Sequence, residues 1–262
     1  MDWSSVIGII FAWVTVMIGA AWEGVHLASL IQFGTFIMIF GSSMGASLGG
    51  MTFQELKTVP TALKIIVKEG AKPSAKMVQT FVTFSEKARR EGLLALEDDL
   101  EDIDDSFLKK GLQLVIDGAD ADVIKDILMK DIQSKASEEN NAANFWTMMG
   151  GYSPTIGIIG TVIGLMHVLQ GLGSADAQTL GAGIAMAFIA TFYGIALANL
   201  AWLPLSEKLK YRAKQAKAYR SLILTGILTI QSGDNPRIVQ DRLIVFISDE
   251  SEKKKILEAS AE

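Results

Sequence analysis

GYSPTIGIIGTVIGL, residues 151–165, holds four glycines, one proline, two threonines and no charged residue. In water this would be a poor helix, since an interior glycine costs about 1 kcal/mol and an interior proline about 3 kcal/mol relative to alanine. In lipid the balance changes. Backbone groups have no water to bond there, so an apolar stretch must be helical to satisfy them, and small residues let neighbouring helices approach closely. The stretch therefore reads as a membrane-buried helix, and the distribution of charge along the chain tests that reading.

Half of the 262 residues are apolar. No Lys or Arg precedes Lys57 and none lies between Lys135 and Lys208, so all 24 basic residues fall in two blocks, 13 in 57–135 and 11 in 208–255. The basic-free regions contain four charge-free segments, 3–22, 24–54, 140–175 and 177–206, interrupted mainly by Glu23 and Asp176. A bilayer span needs about 20 predominantly apolar residues. That length predicts four spans, near 4–22, 27–50, 147–171 and 181–204. Trp3 and Trp22 flank the first, Trp146 opens the third and Trp202 closes the fourth, which is where indoles collect at membrane–water boundaries.

The connections at 23–26 and 172–180 carry acidic but no basic residues, whereas 51–146 and 205–262 carry every Lys and Arg. The positive-inside rule places that loop, the tail and the N-terminus in the cytoplasm. The first span lacks a basic stretch before it and has a second span directly behind, so it is expected to be kept rather than cleaved as a secretory signal. The absence of cysteine excludes a disulfide frame and thiol chemistry. Four parts are expected: spans one and two in 1–50, a cytoplasmic helical domain in 51–146, spans three and four in 147–204, and a cytoplasmic helical tail in 205–262.

The long loop reads as helical near 53–69, 74–101, 106–116 and 120–143, with Pro60, Pro73 and glycines at 92, 111 and 118 as punctuation. In ADVIKDILMKDI, Val123, Ile124, Ile127, Leu128 and Ile132 recur at helical spacing. The tail opens with KLKYRAKQAKAYR (208–220), a basic juxtamembrane stretch suited to anionic lipid headgroups. It continues helical to about Gln231, turns at SGDNP and ends in a short helix. Nothing alternates like a strand. The expected fold class is all-α, a polytopic membrane protein whose membrane and cytoplasmic parts are continuous helices.

No Asp, Glu, Lys or Arg lies inside the four spans, and His167 is the one ionisable side chain well within them. Intramembrane catalysis and autonomous proton relays rest on such groups, and no phosphate loop, nucleophile elbow or zinc motif is present. An enzyme is not expected, nor is a catalytic residue, a metal site, a cofactor or a nucleic-acid partner. The spans do offer hydroxyls, among them Ser42, Ser43, Thr155, Thr161 and Thr191, and small residues. Gly160 and Gly164 form a GxxxG with Gly157 on a nearby turn, and the fourth span has Gly181, Gly183 and Gly194 with several alanines. Hydroxyl and carbonyl oxygens ligate a hard monovalent cation, but a low dielectric demands a counter-charge, which a partner subunit would have to supply. The plainer reading is that the threonines hydrogen-bond their own or neighbouring helices. Both stand at this point.

Four separated blocks carry a resemblance: ARREGLLALE (88–97), YSPTIGIIGTVIGL (152–165), AFIATFYGIALANLAWLPLSEKLK (187–210) and SGDNPRIVQDRL (232–243). In content and order they resemble the MotA/PomA-type subunit of the bacterial flagellar motor stator, over essentially the whole chain. The resemblance implies a subunit of the bacterial inner membrane that couples cation flow to torque on the rotor. It implies a pentamer around a dimer of a MotB-type single-span partner, whose helix supplies the ion-binding aspartate. Pro154 and Pro204 match the family's gating prolines, and Thr161 and Thr191 match its ion-path positions. Proton-driven members often have alanine at the first of these, so the transported cation is expected to be sodium rather than a proton. Arg89, Arg90 and Glu97 match positions that face the rotor's switch-complex protein; on one continuous helix, eight residues would set Arg89 and Glu97 on roughly adjacent faces. Glu91, Asp98 and Asp99 would extend that patch. A tolerated proline near a helix start is the plain alternative for Pro154. An ExbB/TolQ-like proton-driven energiser shares the assembly logic, but such proteins have three spans and no counterpart of ARREGLLALE. A stand-alone channel would need its own selectivity groups and repeat symmetry.

Overall fold

A computed structural model of the chain describes residues 3–60, 70–173 and 176–259. The described residues are helical and include no strand. Nine helices are labelled here: α1 (Ser4–Trp22), α2 (Phe33–Gly49), α3 (Ala75–Glu91), α4 (Ser106–Ile116), α5 (Ala121–Gln170), α6 (Ala177–Leu197), α7 (Leu203–Gln231), α8 (Pro236–Ile244) and α9 (Glu250–Ala259). Four helical stretches are long and apolar enough to cross a membrane, Ser4–Trp22, Leu27–Gly49, Ala121–Gln170 and Ala177–Gln231. The chain forms two compact units, one from 1–69 with 138–212 and one from 70–137 with 213–262.

In the first unit the boundaries have local causes. The second span is not α-helical from 27: Leu27–Leu30 is a 3₁₀ turn and α2 begins at Phe33. The Tyr193 hydroxyl donates to the Leu30 carbonyl at 2.7 Å and accepts from the Gln32 N–H at 3.4 Å, satisfying backbone groups that the late start leaves open. Asp176 begins α6 at 177, four residues before the expected 181, because its carboxylate accepts the Thr179 N–H at 2.7 Å as an N-cap. Trp3 and Trp22 are exposed, as boundary indoles are. Trp146 is buried instead, stacked on Trp202 at 5.6 Å, and Trp202 also meets Phe40 at 5.9 Å. After Leu56 the helix expected over 53–69 lies largely outside the described residues; Phe53–Leu56 itself is one turn closed by a Thr52–Glu55 capping box. That carboxylate also accepts the Asn141 side-chain amide at 2.9 Å, and its bonds to Thr52 hold the Glu55 acid below the usual carboxylate range.

In the second unit, α3 buries Val78, Phe81 and Ser85 along one stripe, and α5 contributes Ile124, Leu128 and Ile132, all fully enclosed. Val123 is the exception in that sequence stripe, being 48 % exposed. Asp105 caps α4 by accepting the Phe107 and Leu108 N–H groups at 2.9 and 3.0 Å, and its other oxygen accepts the Tyr219 hydroxyl at 2.9 Å. Burial, reinforced by that carboxylate, pushes the Tyr219 phenol well above its ordinary range.

The helix expected over 74–101 is broken. α3 ends at Glu91, Gly92 adopts φ 91° and ψ 164°, and residues 93–100 form a 3₁₀ segment. That backbone region is essentially reserved for glycine, so a residue tolerated inside a helix acts here as a corner. Arg89 and Glu97 are therefore not on one continuous helix. Gly92→Ala has open space around its added methyl, so any effect is backbone strain alone. It is expected to destabilise the second unit by about 1–3 kcal/mol, read as a lowered unfolding midpoint; an unchanged midpoint would show that the corner is not required.

Candidate functional site

α5 and α6 cross at their glycines, and the approach is close enough that no side chain fits. A methyl group built on Gly194 would lie 2.5 Å from the Ser153 carbonyl oxygen, 3.0 Å from the Gly157 Cα and 3.2 Å from the Pro154 Cα. A methyl on Gly157 would lie 2.9 Å from the Ala190 carbonyl oxygen and 3.2 Å from the Gly194 Cα. One turn on, a methyl on Gly160 would meet the Ala190 methyl at 2.7 Å, and one on Gly164 the Ala187 methyl at 2.7 Å. The blocking atoms at Gly157 and Gly194 are backbone, so they cannot swing aside. Gly157, Gly160 and Gly164 all face α6, with Gly160 also against Met38 of α2.

Pro154 sits in this crossing, in the interior of the 50-residue α5 and far from its start at Ala121. The tolerated-start reading does not apply. Without an N–H, Pro154 leaves the Gly150 carbonyl short of its helical partner and weakens the helix locally. Ser153, fully buried, lies within 2.7 Å of the Met149 carbonyl and 3.0 Å of the Ser43 hydroxyl, tying the weakened turn to α2. Pro204 is placed by a different device. Residues 198–202 are a π-helical turn, with the Leu203 N–H reaching the Ala198 carbonyl, so the backbone register is already altered where the proline enters.

Thr161 and Thr191 are brought together. Their hydroxyl oxygens are 2.5 Å apart, and the Thr161 hydroxyl also lies 3.0 Å from the Ala187 carbonyl and 3.2 Å from the Gly157 carbonyl. Four neutral oxygens thus converge at the glycine crossing, with both side chains half-buried. As they stand, the hydroxyls satisfy each other and the helix backbone. The same oxygens are hard ligands of the kind a monovalent cation takes, and among the described residues no acid bonds to them. Among the described residues no His, Cys, Asp and Glu groups form a metal-binding cluster. A groove of about 270 Å³ opens next to them, lined by Gln32, Thr35, Gly160, His167, Met186 and Ala187 among others. His167 is exposed there.

The charged residues of ARREGLLALE flank the Gly92 corner. Arg89, Arg90, Glu91, Glu97 and Asp98 are exposed. Asp99 is not available to extend that patch, because Lys87 holds it at 2.8 Å across the corner. The hydrogen bond to Asp99 raises the Lys87 ammonium above its ordinary range and keeps it charged. No sequence signal marked this pair: the two residues are twelve apart and belong to no common helical register. Tyr193, which closes the start of α2, was likewise unmarked, since its partner Leu30 lies 163 residues away.

Comparisons with known proteins agree with this architecture. The family model for MotA/TolQ/ExbB proton channels matches residues 99–221, and that for the motility protein A N-terminal region matches residues 6–92. Motility protein A of Bacillus subtilis is 34% identical over 94% of this chain and 91% of its own length. Chemotaxis protein PomA of Vibrio alginolyticus is 29% identical over 98% of this chain and 99% of its own. Among solved structures, MotAB of C. jejuni superposes with TM-score 0.91 at 27% identity, covering 97% of this chain and 98% of that one. The flagellar MotAB stator complex of Bacillus subtilis gives TM-score 0.88 at 32% identity, covering 96% of this chain and 98% of that one. With four membrane-length helices, a glycine-lined crossing and full-length similarity of this degree, the chain belongs to the MotA/PomA family of flagellar motor stator subunits, which drive a motor with an ion gradient and are not enzymes.

Proposed function

We propose that the chain works with a MotB-type single-span subunit, assembled as a pentamer around a dimer of that partner in the bacterial inner membrane, and couples sodium flow to torque on the rotor. The observation that carries this is the cluster of Thr161, Thr191, Gly157 and Ala187 oxygens, which has ligand chemistry for a cation and, among the described residues, no bonded charge to balance it. A carboxylate on the partner helix supplies the missing charge, and its gain and loss of charge is what the weakened turns at Pro154 and Pro204 respond to. The loop and tail lie in the cytoplasm, where all the basic residues are, with the tail's lysines toward anionic lipid. Arg89, Arg90 and Glu97 face the rotor switch-complex protein, steering it by opposite charges rather than binding tightly.

The experiment is swimming speed with sodium replaced by choline, and separately with a protonophore at constant sodium. Speed is expected to fall to zero in choline and to survive the protonophore. Unchanged swimming without sodium and collapse with the protonophore would overturn sodium as the ion while leaving ion-driven torque in place.

A further inference from the structure

We propose that two hydrogen bonds, Ser153–Ser43 and Asn141–Glu55, tie α5 to the second span on either side of the turn that Pro154 weakens, so that the two chains bend there together. This rests on the reading of Pro154 as the turn that moves when the partner's carboxylate changes charge.

The second span and α5 run antiparallel in a steady register. A methyl built on Gly160 would meet Met38 at 2.5 Å, and one on Gly50 would lie 3.2 Å from the Met148 sulfur. Between and beyond these contacts the Ser43 and Ser153 hydroxyls are 3.0 Å apart, and the Asn141 amide donates to Glu55 at 2.9 Å. The two ties lie about 18 Å apart along α5. Each chain has a weak point between them. On α5 it is the Gly150 carbonyl, which Pro154 leaves without its helical partner. On the other chain α2 stops at Gly49, and the next helical turn opens only at Phe53. Two joints closed by two ties make a four-sided linkage. α5 cannot bend at its joint unless the second span turns at its own, or a tie breaks.

Both ties are set up to persist. Ser43 and Ser153 are fully buried. Ser43 donates to the Ile39 carbonyl at 2.6 Å, leaving its oxygen to accept from Ser153. At this depth no water competes for the pair. At the other end Thr52 holds one Glu55 oxygen at 2.8 Å, and the capping box so formed aims the second oxygen at Asn141. Ser47 supplies the contrast within the same span. It is equally buried, but its hydroxyl donates to the Ser43 carbonyl of its own helix.

The test is bead rotation at low load by the full stator, this chain with its partner subunit, across a series of driving-ion concentrations. Ser153→Ala removes one tie and leaves the Ser43 hydroxyl its Ile39 acceptor; Asn141→Ala removes the other and leaves Glu55 its Thr52 donors. Each is expected to lower the speed at saturating ion about threefold, the weight of one hydrogen bond between helices, with the half-saturating concentration unchanged. The double variant is expected to lose more than the roughly ninefold that independent sites this far apart would multiply to, because no tie then remains to share the bend. Ser43→Ala is expected to match Ser153→Ala and to add nothing to it, and Ser47→Ala to keep wild-type speed. Wild-type speed in both single variants, or losses that simply multiply, would overturn the linkage. So would a shifted half-saturating concentration, which assigns the residues to the ion path, or a lowered unfolding midpoint, which assigns them to the fold. Pro154→Ala separates the two readings. If it slows the motor while the tie variants do not, the moving turn stands and the linkage falls; if it leaves the speed unchanged, both fall.

Discussion

Gly194→Val is expected to abolish motility and to keep the chain from reaching its folded form in the membrane. The first carbon of the new side chain would stand 2.5 Å from the Ser153 carbonyl oxygen and 3.0 Å from the Gly157 Cα. Both are backbone atoms of α5, so relief requires moving one helix off the other by about an ångström or more, which also separates Gly157 from Ala190 and Gly160 from the Ala190 methyl. Lipid gives no hydrophobic gain to hold the helices together, and close packing is what associates them. Overpacking in a dense interior costs about 3 kcal/mol or more where nothing can yield. Chain abundance in membranes and the unfolding midpoint in detergent check this. Gly194→Ala is expected to show the same defect in weaker form, because the first carbon alone already collides. Gly181→Ala, on the same helix with no described residue outside its own turn within 4 Å of the new methyl, is expected to leave the fold of the chain intact. Equal behaviour of the variants at 194 and 181 would remove the crossing as the reason for the glycines.

The four membrane-length helices were legible because charge segregation is a property of composition and needs no geometry. The continuity of α5 across charged and apolar sequence was legible because the break signals between Ala121 and Gln170, Gly150-Gly151 and Pro154 among them, fall in or at the edge of the apolar stretch, where the backbone must stay helical. Where the reading fell short, the deciding quantity was a torsion angle or a long-range partner. Gly92 inside a charged helical pattern looks like one tolerated glycine, and only φ 91° makes it a corner. The π-helical turn at 198–202 has no letter of its own in ANLAW. Trp146 reads as a boundary indole by position, yet its stacking partner Trp202 lies on another helix and encloses it. Of the candidate site, sequence supplied the residue types, and the structure supplied the meeting of Thr161 with Thr191 and of Gly157 with Gly194.

Thr161→Ala is expected to raise the sodium concentration that half-saturates swimming speed by roughly ten- to a hundredfold, the range that follows from losing one charge-assisted oxygen contact of about 1.5–3 kcal/mol. The cost to the fold is expected to be small. When the Thr161 hydroxyl goes, the Ala187 carbonyl loses that donor, but Ala187 is four residues before Thr191 on the same helix. The Thr191 hydroxyl then has that carbonyl as an acceptor in the usual back-bonded geometry, and no buried polar group is left unsatisfied. A packing role and an ion-ligating role therefore separate cleanly. Thr161→Ser keeps the oxygen and drops the methyl, so it is expected to keep the wild-type sodium response. Thr161→Val keeps the shape and drops the oxygen, so it is expected to behave like the alanine variant. Should serine fail where valine succeeds, the methyl rather than the oxygen matters at this position. Thr161 would then belong to the helix contact alone, and the convergence of four oxygens would be a consequence of close packing between α5 and α6.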